Sequence, residues 1–286
     1  MTETVGLWKQ KQGRVCRVLM IGNSFCMLYA QELYGMAKSV GIEARIVSVV
    51  AAACTLEKHW NWLQNGEKNY TVQIVDREGL RQLEGMGLED SLALDRWDVI
   101  SCQDGEHYYR LGGLLEAEKH TEPYLGGLVA FVRSRFPAAV HCFHQVWAYQ
   151  VGYNRPEKSP FRVPDRDMQL CMHRDLRSIC CRVCREYGLF RVPSGDAWEL
   201  ARQDVRVGDT LCMPDCEHDG ESEGGRYLNA CVWFEALFGI SCIGNAYRPA
   251  YPLAEDKIAA LQQAAHTAMA AARSEEKENG CGGSLL

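Results

Sequence analysis

The stretch V18-L19-M20-I21-G22-N23-S24-F25-C26-M27-L28-Y29-A30-Q31-E32-L33-Y34-G35 decides the fold. Its first half is an unbroken apolar run, as expected of a strand buried on both faces. Its second half changes period: Tyr29, Leu33, Met36 and Val40 share one helical face, and Gly41 stands where that helix would stop. Between the halves lies Gly22-Asn23-Ser24, a small polar turn at a strand end. Gly22 permits a sharp reversal, and Ser24 falls at or near the start of the following helix. Two readings of Ser24 stay open here. It can cap orphan amides, since Ser is a preferred cap residue. Its hydroxyl can also be presented for chemistry, with its own N–H and the helix dipole facing a developing oxyanion.

The same alternation continues outward. "ARIVSVVAA" (44–52), "WDVISC" (97–102), "AVHCFHQVWAY" (139–149) and "LFRVPSG" (189–195) read as further strands, and 121–135 and 167–187 as helices between them. Continuous apolar strands alternating with helices predict a three-layer α/β/α sandwich around a mainly parallel sheet of about five strands. One domain is expected over residues 1–272, with its core at about 16–240 and a C-terminal Ala-rich helix over 252–272; 273–286 reads as a disordered tail. "YNRPEKSPFRVPDRD" (153–167) carries three of the nine prolines and reads as a surface loop beside the strand ends.

Composition excludes several classes. The net charge of −6 supplies no basic footprint for nucleic acid. No apolar run approaches the ~18 residues of a membrane span, and "MTETVGLWKQKQGR" has no signal-peptide apolar region. A cytoplasmic protein with neither nucleic-acid nor membrane partners is expected, its oligomeric state left open. Fourteen cysteines are scattered through apolar segments, which suits buried thiols better than a disulfide framework. The densest group, "CMHRDLRSICCRVC" (171–184), follows helical spacing through Met172, Leu176, Ile179, Val183 and Tyr187, so packing is expected there and no metal knuckle.

Sites in open α/β sheets gather at the carboxyl ends of strands. The ends to inspect are Gly22 to Ser24, Ala52 to Cys54, Gln103 to His107, and Trp147 to Tyr149. Near the C-terminus, "MPDCEHDGESEGGRYLNACVWFEALFG" (213–239) places Asp215 three residues before His218, ahead of a helix striped by Tyr227, Cys231, Phe234 and Phe238. A carboxylate and an imidazole on one short loop can meet, and the ring can then take a proton from a serine hydroxyl. Glu217 and Asp219 flank the histidine; one His among three carboxylates suits a hard cation only weakly, and no metal is expected.

With these pieces in place, the chain resembles the SGNH (GDSL-like) hydrolase superfamily, in a bacterial branch whose first block reads G-N-S-F. The resemblance is carried by "RVLMIGNSF", "AACTLEKHW", "RWDVISCQ", "QVWAY", "VPSGDAW" and "DCEH…GGRYLNACVWFEALFG", and spans about residues 16 to 240. It implies a cofactor-free serine hydrolase in which Ser24 is the nucleophile, His218 the general base and Asp215 its orienting carboxylate. The family's oxyanion hole joins the Ser amide, a block-two glycine amide and a block-three Asn side chain. Here the block-two glycine falls at Ala52 or Ala53, and the Asn is replaced by Gln103 or His107; Gln103 is favoured because its amide donates at any pH. Asn23, His59, Trp147 and Tyr149 are expected to line the substrate site, although His59 equally suits a helix start and the two aromatics equally suit packing of the sheet. The superfamily often removes small acyl groups from carbohydrate, so a small-molecule or carbohydrate ester is the implied substrate. An acyltransferase with the same triad, or a non-catalytic glycan-binding or interaction protein keeping the fold, are the rival readings.

Overall fold

In the computed structural model the described residues are 6–9, 14–104 and 114–278, with side chains described for all but 114–120, 122 and 123. The quoted stretch forms β1 (Cys16–Gly22), a one-turn 3₁₀ helix (Ser24–Cys26) and α1 (Ala30–Ser39). There follow β2 (Ala44–Val50), α2 (Leu56–Asn65), β3 (Tyr70–Asp76), β4 (Gly79–Met86), α3 (Leu88–Leu92), β5 (Val99–Gln103), α4 (Leu114–Arg135) and β6 (Val140–His144). The last elements among the described residues are α5 (Arg166–Tyr187), β7 (Phe190–Val192), α6 (Ser194–Gln203), α7 (Gly225–Phe238) and α8 (Glu255–Glu278).

The strands form one sheet in the order β4-β3-β2-β1-β5-β6-β7. β1 pairs in parallel with β2 and β5, and β5, β6 and β7 continue in parallel. Side chains alternate along β1: Val18 and Met20 enter the core shared with α1, α7 and α8, while Leu19 and Ile21 enter the core shared with α2 and α4. Apolar residues on both faces of the central strand therefore require helices on both faces, and the expected three-layer sandwich is present.

Among the described residues the sheet has seven strands where about five were expected. The added pair is the hairpin of β3 and β4, which runs antiparallel to β2 and to itself. β4 is almost wholly exposed along its length, so no buried face marks it in the sequence. The strand expected over 139–149 stops at His144, and 145–149 leave the sheet as a buried connection. The C-terminal helix also runs past the expected end at 272, through Glu278. Its extra turns are held by Arg273, which donates to the Glu235 carbonyl at 2.8 Å, and by Glu275, which accepts from Arg191 at 2.8 Å. All thirteen cysteines among the described residues are free thiols, Cys180 and Cys184 on α5 included.

Candidate active site

Parallel order brings the carboxyl ends of β1 and β5 side by side, with Ile21 opposite Cys102. Gly22 is required there for lack of space: a Cβ on it would stand 2.2 Å from Gln103 Oε1. The Gln103 carbonyl oxygen accepts from the Asn23 N–H at 3.1 Å, which fixes which end of the amide is which. Asn23 Oδ1 in turn accepts from the Phe25 N–H at 3.1 Å, capping the 3₁₀ turn. Asn23, and not Ser24, is the cap, which leaves the serine hydroxyl for another partner.

That partner is His218. Ser24 Oγ lies 2.9 Å from His218 Nε2, across 194 residues of sequence. On the other side of the ring, His218 Nδ1 donates to Asp215 Oδ2 at 2.6 Å. Asp215 Oδ1 also accepts the backbone amides of Glu217 at 3.0 Å and His218 at 3.1 Å, so the carboxylate folds its own loop around itself. The loop is pinned further by the Gln150 N–H, which donates to the Cys216 carbonyl at 2.9 Å, and by Trp147 Nε1, which donates to the Glu217 carbonyl at 3.0 Å. The imidazole is backed on one face by a run of rings: Phe25 stacks on it with ring centroids 5.1 Å apart, Trp147 lies 4.9 Å from Phe25, and Trp198 stacks 4.3 Å from Trp147.

Electrostatics follow from this packing. Burial alone pulls the His218 imidazole down, but the Asp215 hydrogen bond and the charges of Glu217, Asp215 and Asp219 outweigh it and leave its pKa above the ordinary value. For Asp215, burial is outweighed by the His218 hydrogen bond and the two backbone amides, which hold its carboxyl well below the usual range. Asp219 is fully buried next in sequence to His218 and is pushed up to about 7 by burial, against the hydrogen bond from Asn229. Asn229 Nδ2 donates to Asp219 Oδ2 at 3.0 Å and Trp198 Nε1 donates to Asn229 Oδ1 at 2.8 Å.

The loop over 153–165 lies beside this group. Arg155 Nη1 is 3.8 Å from Asp215 Oδ2 and 3.7 Å from Glu217 Oε2, and Lys158 Nζ is 3.2 Å from Glu217 Oε2. Asp215, Glu217 and His218 form a group whose ligand atoms lie within 4.8 Å of one another. Both ring nitrogens of His218 are already engaged, and Glu217 is charge-paired with Lys158, so this donor set does not fit a resident cation.

The expected oxyanion donors differ in what they show. Gln103 Nε2 is buried and has no hydrogen-bond partner among the described residues. Ala53 adopts φ +51, the left-handed backbone that favours glycine, on an exposed turn before α2; the glycine-type geometry survives the added Cβ. His107 lies outside the described residues.

The four residues expected to line the substrate site are all buried in the structure. Asn23 is the buried cap described above. His59 is fully buried, with Nδ1 2.8 Å from the Tyr70 hydroxyl, and burial pushes it down to about 3; it joins α2 to the β3 hairpin that the sequence did not disclose. Trp147 is fully buried as a brace of the His218 loop. Tyr149 is fully buried against Tyr153 at 4.3 Å, its carbonyl accepting from Gln169 Nε2. Not singled out from the sequence were Phe25, which stacks on His218, and Arg155 and Lys158, which stand beside the acids of its loop. Phe25 sits directly after Ser24, and that adjacency was the available signal.

In this three-layer α/β/α sandwich Ser24 follows the carboxyl end of β1, and His218 and Asp215 meet it from the loop between α6 and α7. The chain belongs to the DUF4886 family, a domain of unknown function, which matches residues 17–268. It is similar to a DUF4886 family protein from Bacteroides uniformis, at 28% identity over 90% of this chain and 95% of that one, with a TM-score of 0.78. More distant likenesses are LAE5, an alpha/beta hydrolase enzyme from the metagenome of Lake Arreo (16% identity, 77% and 94% of the two chains, TM-score 0.49), and a GDSL-like lipase from Bacteroides thetaiotaomicron (10%, 75% and 84%, 0.40). No curated protein matches the sequence. Among the described residues no helix is long and apolar enough to cross a membrane.

Proposed function

We propose that this protein is a serine acyl hydrolase acting on a small ester, with an O-acylated carbohydrate as the first substrate class to examine. The reading is carried by one observation: a continuous hydrogen-bonded line from Ser24 Oγ through the His218 ring to Asp215, at 2.9 and 2.6 Å. In the mechanism, Ser24 Oγ attacks the ester carbonyl while His218 Nε2 takes its proton. The His218 ring then delivers that proton to the leaving alkoxide, and water repeats the sequence to release the acid. Asp215 holds the tautomer in which Nδ1 carries hydrogen and Nε2 accepts. The Ser24 amide, an amide at Ala53 and Gln103 Nε2 are assigned to the oxyanion; Gln103 Nε2 is a buried donor in need of an acceptor, which the oxyanion would supply. Free cysteines throughout suit a reducing compartment, and a cytoplasmic address belongs to the same proposal.

The test is turnover of p-nitrophenyl acetate by the wild-type protein beside Ser24→Ala, with and without a chelator. Turnover abolished by the substitution and indifferent to the chelator supports the proposal. Equal release by both proteins would refute it for this ester and favour the non-catalytic reading.

A further inference from the structure

At the opposite end of the parallel run of the sheet from the β3 hairpin, α5, β7 and α8 line a cavity of about 430 Å³. β7 lies three strand positions from β1, or roughly 14 Å at ordinary strand spacing, so this cavity is separate from the Ser24 site. Its size falls in the range of small-molecule pockets.

One wall is a stripe of α5. Arg174, Arg177, Cys181 and Arg185 follow steps of three, four and four, which places them on one helix face. The floor includes Arg191 of β7, whose side chain is only 5% exposed. The facing wall is α8, where Glu275 and Glu276 are the acidic residues of the lining. Four guanidinium groups thus meet two carboxylates across one cavity, and the two sets are unequally engaged. Arg191 is held by Asp196 at 2.6 Å and Glu275 at 2.8 Å, and Arg177 by the same two acids. Arg174 and Arg185 are exposed, and neither has a carboxylate partner among the described residues. Glu276 is partly buried, which raises its carboxyl above the ordinary value.

We propose that this cleft is a second binding site, for a small organic anion bearing phosphate or carboxylate groups. Guanidinium forks match both groups in a bidentate manner, and a partly enclosed pocket strengthens the contact relative to open water. Arg191, locked by Asp196 and Gln145 Oε1 at 2.7 Å, is preorganised as the fixed donor of the floor. Arg174 and Arg185 at the rim are free to close on the ligand. The Ser178 hydroxyl and the apolar Leu189 and Ala272 complete a lining suited to an anion with a short carbon skeleton.

Pyrophosphate and citrate are the probes, titrated by calorimetry into the full chain at fixed ionic strength, with thermal unfolding in parallel. The wild-type protein is expected to bind at least one of them saturably and to unfold at higher temperature when it is bound. Arg174→Ala/Arg185→Ala should weaken that binding tenfold or more, while Arg96→Ala, an exposed arginine before β5, leaves it unchanged. Binding of pyrophosphate alone identifies a phosphate ligand, citrate alone a carboxylate, and either outcome supports the site. No saturable binding by the wild type, or an equal loss in all variants, overturns it.

Discussion

Asp215→Asn tests the proposed base most directly, because the structure dictates how the new side chain must sit. Asp215 Oδ1 accepts two backbone amides, at 3.0 and 3.1 Å, and Asn can replace those bonds only with its single carbonyl oxygen. Its NH₂ group then faces His218 Nδ1, where Oδ2 had accepted at 2.6 Å. A donor facing Nδ1 forces that nitrogen to accept, which moves the ring hydrogen to Nε2. The hydrogen now points at Ser24 Oγ, and the ring can no longer take the serine proton. The fold is unchanged but the tautomer is wrong, a situation expected to lower kcat by about 10³–10⁴ with KM little changed. Stability carries a second signature. Asp215 is held below its ordinary pKa, so its contribution is present above about pH 4 and fades as pH falls through the lowered value. His218 is raised, so its contribution is present below about pH 6.5 and fades as pH rises through the raised value. The variant should therefore lose most stability between about pH 4 and 6.5, on the order of 1.5–3 kcal/mol for a hydrogen bond to a charged group. The assays are ester hydrolysis at pH 8 and urea unfolding at pH 5 and 9. A loss in kcat below tenfold, with the variant folded, would refute the orienting role of Asp215.

Other perturbations give outcomes of the same kind. Gly22→Ala forces a methyl against Gln103 Oε1 at 2.2 Å, and denaturant unfolding should show a loss of about 1–3 kcal/mol together with reduced turnover. Arg155→Ala removes the cation near Asp215 and Glu217, leaves more negative potential at His218, and should move the acid limb of the pH–rate profile upward; Arg155→Lys should restore it. Asp219 is raised to about 7, so its folded-state preference for the proton is satisfied below about pH 4 and lost as pH rises through 7. Asp219→Asn should accordingly gain on the wild type in thermal stability between pH 5 and pH 8; a constant difference across that range would show that Asp219 does not titrate there.

Much of this arrangement is legible along the chain because its cause is local. The apolar run of β1, its Gly-Asn-Ser turn and the helical period after it state a buried parallel strand and a loop at its carboxyl end. Asp215 and His218, three residues apart, announce their own contact because one short loop can close on itself. The partnership of Ser24 with His218 across 194 residues is suggested only by the family pattern; its 2.9 Å contact comes from the loop between α6 and α7, which Gln150 and Trp147 pin in place beside the end of β1. Where the sequence was silent, packing decided. The exposed hairpin strand β4 has no buried face to mark it. Trp147, Tyr149 and His59 are aromatic groups near strand ends, and neither spacing nor composition distinguishes a ring facing a substrate from one facing a helix. The stack of Trp198, Trp147, Phe25 and His218 settles that for Trp147, since each ring is desolvated by the next. Likewise helical spacing alone does not show that the arginines of α5 face α8 and β7 across a cavity. Periodicity records which side of an element is apolar, and so the sequence by itself determined the layers and the strand ends. Which element covers each face depends on contacts between residues far apart in the chain, and so only the tertiary structure decided which of the candidate side chains meet.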